Sequence, residues 1–181
     1  MSFGLAILTF VHVLISLVGI AAGLVVAYGF LTAKRLDVCT ATFLTTTGLT
    51  SVTGLIFPFE RFLPSHALGI LSLAVLAVAI VARYAARLAG PWRAAYVVSS
   101  VIALYFNVFV LVVQLFQKVP ALRALAPTQA EPPFVASQVA VLALFVALAI
   151  GGAIRFRGES INRPGAARMP KSLTGSSLGH D

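Results

Sequence analysis

Charged residues interrupt this chain rarely and in bunches, and between the bunches the apolar positions run almost unbroken. Phe3 to Ala33 carries no charged residue, nor does Cys39 to Phe59. His66 to Ala82, Ala94 to Gln117 and Phe134 to Ile154 are likewise free of Lys, Arg, Asp and Glu. A helix needs about 20 residues to cross a hydrocarbon core of roughly 30 Å, which four runs supply. The third, with 17 residues, reaches across if Arg83 or Arg87 extends its head to the interface. A chain crossing lipid must satisfy its own backbone hydrogen bonds, and the alternating pattern of a barrel strand is absent. The pattern therefore predicts an all-α integral membrane bundle of five transmembrane helices, over about 5–33, 39–59, 66–86, 93–117 and 134–155.

The breaks agree with these bounds. Lys34, Arg35 and Asp37 part the first two runs. Pro58, Glu60, Arg61 and Pro64 part the next two, with Ser65 placed to cap the third helix. Gly90 and Pro91 precede the fourth helix, and Pro120, Pro127, Pro132 and Pro133 imply a structured or extended connection over 118–133. From Gly158 the composition shifts to Arg, Pro, Gly and Ser, so 1–157 reads as the bundle and 158–181 as a disordered basic tail. No internal repeat is visible.

Composition confirms the solvent. Of 181 residues, 60% are hydrophobic and 10% charged, against about 25% charged in soluble domains. The net charge of +8 is explained by topology rather than by nucleic acid, which is excluded as the partner such a charge would suggest. With five spans, Arg61, Lys118 and Arg123 fall on one side, and Lys34, Arg35, Arg83, Arg87, Arg93, Arg155, Arg157, Arg163, Arg168 and Lys171 on the other. The positive-inside rule makes the second side cytoplasmic, so the N-terminus lies outside and the tail inside, where it can touch anionic headgroups. The first run lacks the positive flank of a signal peptide and is about twice too long for one, so it reads as a true span. The lone Cys39 is read as packing in a reducing compartment.

This topology gathers the polar residues of the spans in the outer half. His12 lies about 10 Å below the start of the first helix at 1.5 Å per residue, and His66 at the outer end of the third. Thr53, Asn107, Gln114 and Gln138 fall in the same half and are read as lining a polar pocket, with Glu60 in the loop above. Thr9, His12, Ser16, Gly19 and Gly23 share one helical stripe, as do Thr46, Thr50, Thr53 and Phe57, and Ser100, Asn107 and Gln114. Small and hydroxylated residues commonly serve as packing contacts between membrane helices, and that is the plainer reading of these stripes. An ionisable residue inside a span points to a function. His12 and His66 allow two: axial ligation of one haem b, or proton exchange beside a quinone headgroup with Glu60 as partner. The difference in depth between the histidines strains the first. No other metal site and no catalytic residue is assigned. Zinc spacing, phosphate-binding glycine loops and a nucleophile elbow are missing from the sequence. No carboxylate lies within a span to serve an intramembrane aspartyl protease or an ion pump.

The stretches FVHVLISLVGI, FPFERFLPSHALGI and YFNVFVLVVQLFQKVPALRALAPTQAEPPF resemble a group of small multi-pass inner-membrane proteins of proteobacteria. The likeness covers most of residues 5–155; it implies the bacterial inner membrane and brings no activity with it. On His12 and His66 alone the chain is also similar to small haem-b membrane proteins. The readings that follow are a haem-b or quinone-linked redox protein, a small-solute carrier or channel, and a non-enzymatic accessory or assembly subunit of a larger membrane complex.

Overall fold

The computed structural model describes residues 3–56 and 64–156, with the side chains of 64–66 outside that set. Glu60 and the tail from 158 lie outside the described residues. The described chain is helical throughout and contains no strand: α1 (Phe3–Leu31), α2 (Asp37–Ile56), α3 (Pro64–Ile80), α4 (Trp92–Lys118), α5 (Pro120–Leu125) and α6 (Pro132–Arg155). Among the described residues, four segments are long and apolar enough to cross a membrane, namely Phe3–Leu31, Ala67–Ala85, Trp92–Lys118 and Pro132–Arg155.

One local expectation changes, and the structured connection expected over 118–133 takes a definite form. Helix α3 begins at Pro64, which places Ser65 inside the first turn rather than at the cap; proline suits that turn because its missing N–H needs no partner there. The 118–133 connection carries its own short helix, α5, with Pro120 in its first turn. The chain then turns through Gln129 at φ 60° before α6.

The long helices run alternately up and down. On the α1–α2 seam His12 faces Thr53, Ser16 faces Thr50, and Gly19 and Gly23 face Thr46 and Phe43. Ser51 meets Ser72 between α2 and α3, and Gly152 meets Val97 between α6 and α4. Glycine is required at Gly23, where a Cβ would lie 2.5 Å from Leu104 and 2.9 Å from Phe43. This close approach is the kind that small residues permit between membrane helices.

At one end α3 continues into a π-helical turn, Val81–Ala85. Arg87, Leu88 and Gly90 then take left-handed backbone angles. These angles reverse the chain within a few residues and drop Leu88 into the core, where it is buried. The α1–α2 loop, this reversal and the end of α6 share that end of the bundle, as the bond from Arg155 to the Leu31 carbonyl at 3.4 Å shows. Lys34, Arg35, Arg83, Arg87, Arg93 and Arg155 therefore collect at one end, hereafter the basic end.

The core sits toward the basic end. The buried residues of α1 run from Gly19 to Phe30, those of α2 from Thr40 to Ser51, and those of α4, Phe116 apart, from Tyr96 to Leu104. Phe30 stands edge-on to Tyr96 and to Phe156, with ring centroids 5.3 Å apart in each pair. Cys39 packs against this cluster, partly buried.

Candidate functional site

Helix α2 is the most polar of the long helices, with seven threonines and a serine between Thr40 and Thr53. Much of that polarity is spent within the helix. Thr46 donates to the Thr42 carbonyl at 2.7 Å, Thr53 to the Leu49 carbonyl at 2.7 Å, and Ser51 to the Thr47 carbonyl at 3.0 Å. Thr53 also bonds His12 of α1, Ser51 bonds Ser72 of α3, and Thr47 accepts from Asn107 of α4, so α2 is bonded to three helices at once.

His12 is the ionisable member of this arrangement. Its Nδ1 lies 2.8 Å from Thr53 Oγ1, and the ring edge passes over Gly54, where a Cβ would come within 3.5 Å of Cε1. The Thr53 hydroxyl is also within reach of the Leu49 carbonyl at 2.7 Å and the Thr50 carbonyl at 3.2 Å. With its one hydrogen given to either, the Thr53 oxygen can accept from the Nδ1–H tautomer of His12. In that tautomer the basic lone pair lies on Nε2. One helical turn further, Ser16 donates to the His12 carbonyl at 2.7 Å and lies 3.3 Å from Thr50 Oγ1. A histidine whose Nδ1–H is held by a second residue is the usual support for ligation or proton acceptance at Nε2.

The other expected pocket residues are distributed over different seams. Asn107 donates to Thr47 at 3.2 Å on the α2–α4 seam, about 9 Å along α2 from Thr53 at 1.5 Å per residue. Gln138 donates to the Phe109 carbonyl at 3.3 Å between α4 and α6, with its Oε1 buried and unpartnered among the described residues. Gln114 is exposed on the outer surface of α4, which removes it from any interior pocket. His66 lies in the first turn of α3 with its side chain outside the described residues, and Glu60 is outside them altogether. The described structure thus joins His12 to Thr53 and sets Asn107, Gln138 and Gln114 apart from that pair. Among the described residues no three His, Cys, Asp or Glu side chains group as metal ligands.

A second polar cluster, which the hydropathy pattern did not suggest, lies at the basic end. Tyr96 is fully buried; its hydroxyl donates to Thr40 at 3.3 Å and accepts from Arg83 at 3.2 Å. The Arg83 guanidinium also pairs with Asp37 and lies over the Tyr96 ring, 5.3 Å from its centroid. The sequence signal was present, since Asp37 and Arg83 flank facing helix ends, but only the π-turn of α3 brings Arg83 inward.

An apolar groove of about 540 Å³ runs between α4 and α6, with Val101, Tyr105, Leu142 and Phe145 among its walls. No protein-family model, curated protein or solved structure matches the chain.

Proposed function

We propose that the chain is a five-span protein of the bacterial inner membrane, N-terminus outside and tail cytoplasmic, with a binding site for a lipid-soluble redox ligand at His12. Helix α2 is the fifth span in this reading. Its 20 residues cover about 30 Å at 1.5 Å per residue. Its low hydropathy follows from its position between α1, α3 and α4, because a helix facing protein need not be apolar all round. The gathering of six described Lys and Arg side chains at one end supports a cytoplasmic placement of that end.

The observation that carries the functional reading is the His12 Nδ1–Thr53 bond at 2.8 Å. In the Nδ1–H tautomer, Nε2 is the nitrogen that would meet an electron-pair acceptor, either the iron of a haem b or the hydroxyl of a quinol. His66 is the candidate second axial ligand for the haem. The test is an absorption spectrum of detergent-purified protein together with organic extraction. A Soret band that disappears in His12→Ala, or co-extracted quinone that falls in the same variant, supports the site. A colourless preparation without bound quinone rejects it. Thr53→Val should weaken retention of the ligand about 10- to 100-fold, the usual effect of losing a residue that orients a ligating histidine.

The α4–α6 groove favours a second reading, an accessory subunit that seats an apolar segment of a larger membrane complex. Stoichiometric co-purification of a partner that is lost in Leu142→Trp would favour it over the first.

A further inference from the structure

We infer that the basic end holds a specific site for the phosphate of an anionic phospholipid, at the rim of the cleft lined by Lys34, Arg35 and Arg83. The inference is independent of the His12 reading, which concerns the opposite end of the bundle.

The cleft lies between the α1–α2 loop and the π-turn of α3, and Lys34, Arg35, Leu36, Thr40, Arg83 and Tyr96 are among its walls. With Val26, Phe30 and Phe156 also lining it, the cleft is too narrow to admit a water molecule, so the proposed site is its rim. Three cations border it, and their one described carboxylate partner is Asp37, which is 78% exposed while the Arg83 side chain is 9% exposed. An exposed carboxylate is screened by water, and the cleft keeps a net positive charge. Arg83 donates to Tyr96 and Asp37 and, nearly covered, adds its charge to the rim while Lys34 and Arg35 present the exposed donors suited to phosphate oxygens.

The loop is also held in place. Lys34 N–H donates to the Gly29 carbonyl at 2.9 Å, and Leu36 packs so close to Gly29 that a Cβ there would meet it at 3.1 Å. Ala33 takes a left-handed φ of 55° to make the turn. The two loop cations are therefore presented from a fixed backbone, which lowers the ordering cost of binding.

The depth fits a headgroup. Tyr28, Tyr84 and Trp92 are exposed on α1, the π-turn and α4, all close to this end. Exposed Tyr and Trp mark the headgroup level of a bilayer. Basic pockets between membrane helices at such a level bind anionic headgroups.

The experiment titrates dioleoylphosphatidylglycerol into the detergent-solubilised full chain and reads bound lipid by native mass spectrometry, with dioleoylphosphatidylcholine and inorganic phosphate as parallel arms. Each surface cation near an anionic lipid contributes about 1 kcal/mol, roughly fivefold in affinity. Phosphatidylglycerol should bind in preference to phosphatidylcholine. Arg35→Gln should weaken it about fivefold and the Lys34→Gln/Arg35→Gln double variant about thirtyfold. Arg87→Gln, an equal charge change at the same end but outside the cleft, should leave it unchanged. Equal losses in Arg87→Gln and Arg35→Gln would overturn the site in favour of diffuse charge attraction. Equal binding of the two lipids would overturn it as well. Full competition by inorganic phosphate at matched ionic strength would show an anion site without a lipid and overturn the headgroup assignment.

Discussion

The two halves of this bundle use polar side chains in opposite ways. At the basic end Thr40, Tyr96 and Arg83 are set into a close-packed core, where their bonds tie α4 to α2 and to the π-turn while the Tyr96 ring also meets Phe30 of α1. At the opposite end His12, Thr53 and Asn107 are only partly buried, on seams where few large side chains are enclosed. In lipid there is no hydrophobic force pulling helices together, so cohesion comes from close packing and hydrogen bonds. The basic half has both. The opposite half has the hydrogen bonds with little of the packing. Packing is thereby divided unequally between the ends of the same helices.

The largest test of that division is Phe43→Ala against Phe10→Ala. Phe43 is 1% exposed and Phe10 69% exposed. The first should cost about 2–4 kcal/mol of unfolding free energy through the cavity it leaves, and the second less than about 0.5 kcal/mol, both by denaturant titration in bicelles. Similar costs would erase the distinction. Next comes Gly23→Val against Gly4→Val. A Cβ at Gly23 collides with Leu104 and Phe43, whereas one at Gly4 meets nothing within 4 Å. Overpacking at Gly23 should destabilise by about 1–3 kcal/mol, with Gly4→Val close to wild type in the same assay.

A smaller effect is expected at Thr53→Val. Interhelical hydrogen bonds in membranes average about 0.6 kcal/mol, so the variant should unfold almost as wild type does. Its imidazole should nonetheless lose the preference for the Nδ1–H tautomer, visible in the nitrogen shifts of ¹⁵N-labelled histidine. A large stability loss with unchanged shifts would make the pair a structural pin only.

The smallest effect concerns the loop before α6. Slight desolvation pushes the Glu131 carboxyl upward. Bonds from the Thr128 hydroxyl at 2.9 Å and from the Thr128 and Ala130 N–H groups at 3.2 and 3.1 Å outweigh it, so the group titrates below the ordinary carboxylate range. A lowered folded value means these contacts contribute fully above the ordinary range and are lost as pH falls through the lowered one. Amide exchange at Thr128 and Ala130, corrected for intrinsic rates, should accelerate across that acidic window, while amides around Tyr96 stay protected. Uniform acceleration would show that the two ends are not independent.

Much of the fold was legible in particular residues. The charge bunches at Lys34–Arg35 and at Arg87 and Arg93 mark where helices end, because a charge cannot stay in hydrocarbon. The stripe Thr9, His12, Ser16, Gly19 and Gly23 foretold one contact face, and α2 occupies it. The candidate site was legible only in part. His12 and Thr53 could both be singled out, and they meet, but Asn107, Gln138 and Gln114 do not join them. Gln114 shares a stripe with Asn107 but faces outward, because seven residues of helix leave a small angular offset that a seam can resolve to either side. Arg83 and Asp37 stood at facing helix ends, but the burial of Tyr96 against Arg83 was not legible, since it depends on the π-turn of α3.

By itself, then, the one-dimensional pattern of apolar runs and charge bunches determined where the long helices lie and which charges share an end, since both follow from the cost of placing polar groups in lipid. The rotation and register of each helix against its neighbours were decided by tertiary structure: glycine contacts such as Gly23 on Phe43, and the inward turn of α2's hydroxyls. Those contacts bring together residues such as His12 and Thr53, 41 positions apart, and that spacing alone carries no sign of their meeting.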